Sequence, residues 1–509
     1  MEQTAGVVSD REQGFERFRQ RAGFFLAPFV FILLCFIPIP GLAPNAHHLL
    51  AVLGLVVTLW ISEALPLPVT ALLGPTLCVV TGIGPAREIF RSFADPIILL
   101  YLGGFLLAEA MLAHGLNRRI AVGILSLPAI GKSPRRLLVA FGAITGLISM
   151  WVSNTATTAM MYPIALALLA EMARRQSERL GRTVALTEFR YGTALMLITA
   201  FAASLGGLGT PVGTPPNLVG IGQIEKSLGV HIGFFDWVLF GLPLAVLLIA
   251  FLSFHLGRWC PMESGLMDGG AAWLRQERER LGEMTRGERN VLIAFLVTVF
   301  LWIAPGLLAL TLGSDHSWSK MLNVRLPESV AALVGAVLLF TLPVDFRQHR
   351  FTLTWREATR IDWGTILLFG GGLALGDLMF STGLAKWIGE GLAHALEAKT
   401  TFGLVALFTG VAIILSETTS NLASATMVVP VAIAVAQAAG VNPLQPALAA
   451  CLGASMGFML PVSTPPNAIV YGSGCIPLMK MVRHGALLDL AGFVAVVAVV
   501  MVLVPLVFR

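Results

Sequence analysis

Residues 153–163 read SNTATTAMMYP, and 267 positions later residues 420–430 read SNLASATMVVP. Residues 211–217 read PVGTPPN, and 250 positions later residues 461–467 read PVSTPPN. Ahead of each set, ILLYLGGFLLAEAMLAHGLNRRI (98–120) aligns without gaps on ILLFGGGLALGDLMFSTGLAKWI (366–388) at an offset of 268. That alignment pairs Gly103/Gly104 with Gly371/Gly372 and Glu109 with Asp377. Three matches in one order and at nearly one offset identify a duplicated unit. Chance likeness among Ala-, Leu- and Gly-rich helices does not produce PVxTPPN twice.

The repeats lie in a chain that cannot be a soluble globule. Of its 509 residues 12% are charged and 56% hydrophobic, and the mean hydropathy is +0.81. Too few charges are present to cover a water-facing surface of that size. The five cysteines (Cys35, Cys78, Cys260, Cys451 and Cys475) form no CxxC or Cys/His cluster, which excludes a disulfide scaffold. The net charge of +5 gathers in short loops between apolar runs. This is the pattern of cytoplasmic loops, and no basic patch interleaved with aromatics marks a nucleic-acid partner.

Spans of about 20 apolar residues are predicted near 22–43, 47–64, 67–84, 96–114, 190–208, 233–256, 290–311, 326–343, 363–383, 444–460 and 482–508. Residues 1–21 carry Arg11, Arg17, Arg19 and Arg21 without a cleavable-signal pattern, and are expected to stay in the cytoplasm. A first half (22–256) and a second half (290–509) flank a cytoplasmic amphipathic linker, 257–289, rich in arginine. Loop 312–325 is expected outside.

Two segments break the pattern. Residues 137–172 lie between Arg135/Arg136 and Arg174/Arg175, so both ends belong in the cytoplasm. Around the polar centre Ser153–Thr155 the limbs hold 16 and 17 residues, each short of a span. A hairpin entering and leaving on one side fits this better than two helices. Residues 400–440 have their polar centre at Ser416–Asn421, and no Lys or Arg follows until Lys480, so that hairpin enters from the opposite face. The expected fold is an all-α polytopic membrane protein: inverted repeats with two re-entrant hairpins and about eleven transmembrane helices. Secondary transporters built this way hold their sites at the repeat interface near the midplane.

Each Thr-Pro-Pro-Asn must break its helix, because paired prolines remove donors and clash with the preceding turn. Irregular backbone at membrane depth is tolerated only inside protein or against a watery cavity. The freed carbonyls can bind a cation, and the next helix offers N–H groups and a positive dipole end to an anion. The Ser-Asn pairs at the hairpin tips can cap the helix that starts there or contact a ligand. Four broken elements, two from each repeat, are expected to converge on one site. Glu63, Glu109, Asp377 and Glu417 fall within apolar text, where acids are functional candidates by default. Glu63 and Glu109 can equally cap helices or pair with arginines, and His114 is placed at an interface.

The residues resemble the divalent anion/sodium symporter family of di- and tricarboxylate or sulfate carriers. The likeness rests on Trp60–Thr70 (WISEALPLPVT), Phe93–Pro96 (FADP), Ser149–Thr155 (SMWVSNT), both Thr-Pro-Pro-Asn loops and Ser420–Asn421. It implies a homodimer in which each protomer has a scaffold and a moving transport domain. It also implies a first sodium site of Ser149, Ser153, Asn154 and Gly213, and a second of Ser416, Thr419, Asn421 and Ser463. Asn154, Thr155, Asn421, Thr214, Pro215, Thr464 and Pro465 would meet the substrate carboxylates. One position departs from the family's pattern: Leu422 stands where Thr is usual, removing a hydroxyl from the substrate site.

The function expected on this basis is sodium-coupled symport of C4-dicarboxylates such as succinate, malate or fumarate by an elevator-type movement. Sodium is co-transported and no organic cofactor is involved. The setting would be a plasma or bacterial inner membrane, with bound lipid. A sodium-independent exchanger and a sulfate carrier are the alternatives. No HExxH and no Ser/His pairing is present to support an intramembrane enzyme, and inverted hairpins favour a carrier over a channel.

Overall fold

Backbone groups that leave water for lipid must pair within their own segment, so text this apolar folds as helices. The computed structural model describes residues 10–508 apart from 131–132, 183, 185, 187–188, 261–266, 314–315 and 397–399. The first half runs α1 (Asp10–Phe36), α2 (Pro44–Ser62), α3 (Leu67–Val80), α4 (Ala86–Ile89), α5 (Pro96–His114), α6 (Leu116–Leu125), α7 (Pro134–Ser149), α8 (Asn154–Leu180), α9 (Arg190–Gly206), α10 (Pro215–Leu228) and α11 (Phe234–Trp259). The linker contains α12 (Met267–Arg280). There follow α13 (Arg286–Leu312), α14 (Ser317–Arg325), α15 (Glu328–Thr341), a two-stranded ribbon (Pro343–Asp345 with Arg350–Phe351) and α16 (Trp355–Ala358). The chain closes with α17 (Trp363–Ser381), α18 (Leu384–Leu396), α19 (Thr401–Thr418), α20 (Asn421–Ala438), α21 (Leu444–Gly453), α22 (Pro465–Tyr471), α23 (Leu478–Val502) and α24 (Val504–Val507).

Among the described residues eleven helices are long and apolar enough to cross a bilayer, or twelve if the bent pair α14–α15 is one span. The number matches the sequence expectation, but the set does not. Eight of the expected spans are among the eleven. The expected span 67–84 stops at Val80, where Thr81 and Gly82 (φ 78°) turn the chain toward Pro85. The expected span 444–460 ends at Gly453 after ten residues, because the break before Pro465 begins that early. The expected span 326–343 follows α14 at an angle of 60°. In their place stand α8, α19 and α20, limbs of the two hairpins.

The first hairpin also corrects the predicted limb length. Its second helix runs through Arg174 and Arg175 to Leu180 rather than ending near Met172. Glu171 pairs with Arg174 (2.7 Å) and Arg175 (3.1 Å), and Arg174 also pairs with Glu178. These pairs at one-turn spacing carry the helix past its apolar part. Residues outside the described set include 1–9 of the expected N-terminal segment, 261–266 of the linker and 314–315 of the loop 312–325, which is otherwise mainly α14.

The repeats interlock. α3 of the first half packs on α17 of the second, while α15 of the second packs on α5 of the first. Matched glycines make both contacts: a Cβ at Gly103 would lie 2.6 Å from Ala332 Cβ, and one at Gly371 would run into the Ala71 carbonyl. Small residues let helix backbones approach where lipid offers no hydrophobic drive. α7 lies on α9 as α19 lies on α21. The broken helices occupy the middle of the molecule, and the α9 stretch through Gly209 is wholly buried. Outward faces of α1 and α13 expose Phe25, Phe29, Leu296 and Phe300, which suits lipid.

Candidate functional site

Both hairpin tips are helix starts held by their own serines. Ser153 Oγ accepts from the Ala156 N–H (3.3 Å), and Ser420 Oγ accepts from the Ala423 N–H (3.2 Å). The two Thr-Pro-Pro-Asn segments start α10 and the seven-residue α22 with proline in the first turn, where its missing N–H does no harm. The two asparagines stitch the loops in the same way. Asn217 Nδ2 donates to the Gly207 and Thr210 carbonyls (2.9 and 2.8 Å), and Asn467 Nδ2 donates to those of Gly457 and Leu460 (3.1 and 3.0 Å). Gly207 and Gly457, like Thr210 and Leu460, are 250 positions apart, so the repeat is legible in the bonds as well as in the letters.

These four starts face one cavity of about 550 Å³. Its polar wall holds Ser153, Asn154, Thr155, Pro215, Ser420, Asn421, Ser463, Thr464 and Pro465, and its other wall holds Leu67, Tyr101, Phe105 and Leu368. Leu422 also lines it, 6% exposed. Thr214 does not: it is buried behind the wall, its Cβ 3.0 Å from the position a Gly207 Cβ would take. None of the lining residues is Lys, Arg or His, and Asp362 is the one charged side chain among them. An anion here is met by hydroxyls, amides and the positive ends of helices, each helix end equivalent to about half a charge.

Behind the polar wall lie two clusters of oxygen. In the first, the Ser149 hydroxyl donates to Asn154 Oδ1 (2.8 Å), and Gly207 and Gly213 bring their backbones together beside it. In the second, Ser416 Oγ lies 2.7 Å from both Asn421 Oδ1 and the Ala454 carbonyl. That is one more acceptor than a single hydroxyl proton serves. Ser463 lies next to this cluster, its hydroxyl donating to Glu417 Oε2 (2.6 Å). Thr419 turns away, its hydroxyl donating to the Leu415 carbonyl (2.9 Å). Hard oxygens alone suit a hard, weakly polarising cation.

Two of the other acids in apolar text, Glu63 and Asp377, have structural partners. Glu63, at the left-handed end of α2 (φ 50°), pairs with Arg19 (3.3 Å). Asp377 pairs with Lys226 (2.7 Å) and accepts from Ser92 (2.7 Å). His114 Nε2 bonds the Thr352 carbonyl (2.6 Å).

Residues 19–508 match the family described as the sodium:sulfate symporter transmembrane region. The chain belongs to the sodium:sulfate symporter family. Relatives of the chain include the sodium-dependent dicarboxylate transporter SdcS of Staphylococcus saprophyticus, 35% identical over 490 residues, which are 96% of this chain and 92% of SdcS. SdcS of Staphylococcus aureus is 34% identical over the same shares. Two solved structures share the fold at low identity. The YdaH transporter of Alcanivorax borkumensis has a TM-score of 0.51 at 16% identity, over 97% of this chain and 98% of its own. MtrF of Neisseria gonorrhoeae has a TM-score of 0.54 at 12% identity, over 95% and 94%.

Sequence reasoning missed Gly207, Gly457 and Ala454 at the oxygen clusters, and Tyr101, Phe105 and Asp362 on the far wall. Gly207 and Gly457 were findable, since extending the 250-residue offset upstream of PVxTPPN pairs them. Asp362 left no signal beyond being a helix cap, its Oδ1 accepting from the Thr365 N–H (3.1 Å).

Proposed function

We propose that the chain is a sodium-coupled symporter of C4-dicarboxylates such as succinate, malate and fumarate. The observation that carries this reading is a cavity with four helix starts and no cationic side chain, backed by two clusters of neutral oxygen. A doubly charged anion has no counter-ion there until cations fill the clusters behind Asn154 and Asn421. Each asparagine then presents an oxygen to the cation and an N–H to a carboxylate. Sodium bound first raises the affinity for the anion, and by linkage the anion raises the affinity for sodium. The names of the staphylococcal relatives support a dicarboxylate as cargo and sodium as the ion.

Ser149, Ser153, Asn154 and Gly213 hold one ion in this reading, and Ser416, Asn421 and Ser463 the other, with Thr419 turned away from it. Thr155, Pro215, Thr464 and Pro465 meet the carboxylates beside the two asparagines, with Thr214 backing the first loop. The cavity lies between the hairpin tips and α3, α5 and α17, and in this reading a transport domain slides on a scaffold along that boundary. The protein works as a homodimer with its N-terminus in the cytoplasm.

The test is uptake of radiolabelled succinate into proteoliposomes, with external sodium, external potassium or internal dicarboxylate as the only variable. Uptake that follows the inward sodium gradient is expected. Uptake indifferent to sodium and driven by internal dicarboxylate refutes the coupling and makes the protein an exchanger. Competition by sulfate but not by fumarate reassigns the cargo.

A further inference from the structure

Glu417, next to the second oxygen cluster, is 3% exposed and has a complete set of donors. Its Oε1 accepts from the Phe458 N–H (2.5 Å) and the Met459 N–H (2.8 Å), and its Oε2 accepts from the Ser463 hydroxyl. Asp489 of α23 comes up to this carboxyl and to the Phe458 N–H, which Glu417 already holds. It is 5% exposed, and neither of its oxygens has a donor. The approach is enforced by packing, because Gly485, one turn earlier in α23, presses against the Phe458 carbonyl.

The fold does not demand a charge here. At the offset of 267 the position of Glu417 is Met150 in the first repeat, and at 250 that of Met459 is Gly209. Met150 Cε packs against Gly209, 3.0 Å from where its Cβ would be. One repeat closes this corner with a thioether, the other with two acids.

Among the described residues no basic group faces Asp489 from the elements around it. α21 carries no Lys, Arg, His, Asp or Glu. On α11, His255 is engaged by His484 (2.8 Å), five residues before Asp489, where Lys480 and Arg483 also lie. Two buried carboxylates side by side, one of them without a donor, need a positive charge between them, either a shared proton or a bound cation. A proton given to Glu417 serves one Asp489 oxygen and leaves the other bare, whereas a metal cation meets both.

We propose that Asp489 and Glu417 enclose a third monovalent-cation site, taken by sodium, with Ser463 Oγ as a further ligand. The proposal rests on the sodium-coupled reading and adds an ion to it. That ion sits beside the second cluster against α23, which packs on α19 and α21 as α11 packs on α7 and α9.

The test counts radiolabelled sodium bound per protomer in the purified full-length protein. Asp489→Asn keeps the shape and gives Glu417 a donor, and it should bind one sodium ion fewer than the wild type. Glu417→Gln should lose the same ion, and the double variant no more than either alone. The Hill slope for sodium in substrate-induced stabilisation should fall by about one. Equal counts in wild type and Asp489→Asn overturn the proposal and leave the coupling reading intact, whereas a wild type that binds no sodium refutes the coupling itself. Infrared spectra of the unaltered protein decide the matter if the variants do not fold. Saturating sodium should shift carboxylate bands, and a carboxylic-acid band that persists in sodium and belongs to Asp489 shows a proton there instead.

Discussion

Replacing Gly207 by alanine puts a methyl group into the tightest part of the first oxygen cluster. Its carbon would lie 2.7 Å from Asn154 Oδ1, and 3.0 Å from both the Gly213 carbonyl and Thr214 Cβ. Two of the three obstacles are fixed by the broken backbone, so the Asn154 amide must yield, leaving the Ser149 hydroxyl 2.8 Å away without its acceptor. Overpacking of this kind costs about 1–3 kcal/mol of stability. Pulling the amide from a charged ligand removes about 1.5–3 kcal/mol of binding, or roughly one to two decades in Kd. The matched Gly457→Ala meets Ser416 Oγ at 3.1 Å, the Ser416 carbonyl at 3.2 Å and Asn421 Oδ1 at 3.4 Å, contacts that relax by a few tenths of an ångström. Its loss should be under about tenfold. Gly391→Ala, with nothing within 4 Å in α18, should leave binding alone and add about 0.5–1 kcal/mol of stability. Thermal unfolding in detergent at saturating sodium, titrated with succinate, reads all three, because stabilisation follows RT ln(1 + [L]/Kd). A Gly207→Ala protein that binds succinate as the Gly391→Ala control does, or better than Gly457→Ala, would show that Asn154 is not where the anion or its cation is held.

Three further outcomes are expected. Thr155→Ala should weaken dicarboxylate binding by about one to two decades, and Leu422→Ala far less, because only the threonine offers a hydroxyl to the cavity; equal losses in a succinate titration would give Leu422 a packing role at the site. Cysteines at Arg135 and Arg179, the exposed outer ends of the first hairpin, should both react with an impermeant reagent from the cytoplasmic side, and labelling from opposite faces would end the hairpin and the inversion together. His231, in the loop before α11, is pushed up to about 10 by the hydrogen bonds it donates to Glu225 and Glu328. Its contribution is therefore complete below about pH 6.5 and fades as pH rises through about 10. The thermal midpoint of wild type should fall over that window more than that of His231→Gln, by a small amount because the side chain is 61% exposed; parallel pH profiles would refute it.

The duplication, the hairpin tips and the four helix starts could be read from the letters because Ser-Asn and Pro-Pro act locally on the backbone. The extents of α3, α8 and α21 could not. α3 ends in a local turn at Gly82 that hydropathy does not register, α21 stops at the break that precedes Pro465, and α8 continues past its apolar part on ion pairs at Glu171 that hydropathy counts as an ending. The far wall of the cavity was hidden for another reason. Tyr101, Phe105 and Leu368 are ordinary apolar residues of α5 and α17, and only the exchange of α3 and α15 between halves turns them toward the hairpins. Asp489 was likewise unremarkable on α23 until the Phe458 turn came to rest against it.

The asparagine stitches bear on how such a molecule is made. Asn217 reaches carbonyls only seven and ten residues upstream, as does Asn467. Closing loops that short needs little entropy and takes well under a microsecond. Each irregular loop can thus assume its shape while its own half is emerging from the ribosome, without waiting for the distant partner. The recognition chamber is then assembled late, by docking two pieces already moulded, and a fault in either should misshape the nascent half before the other has been translated.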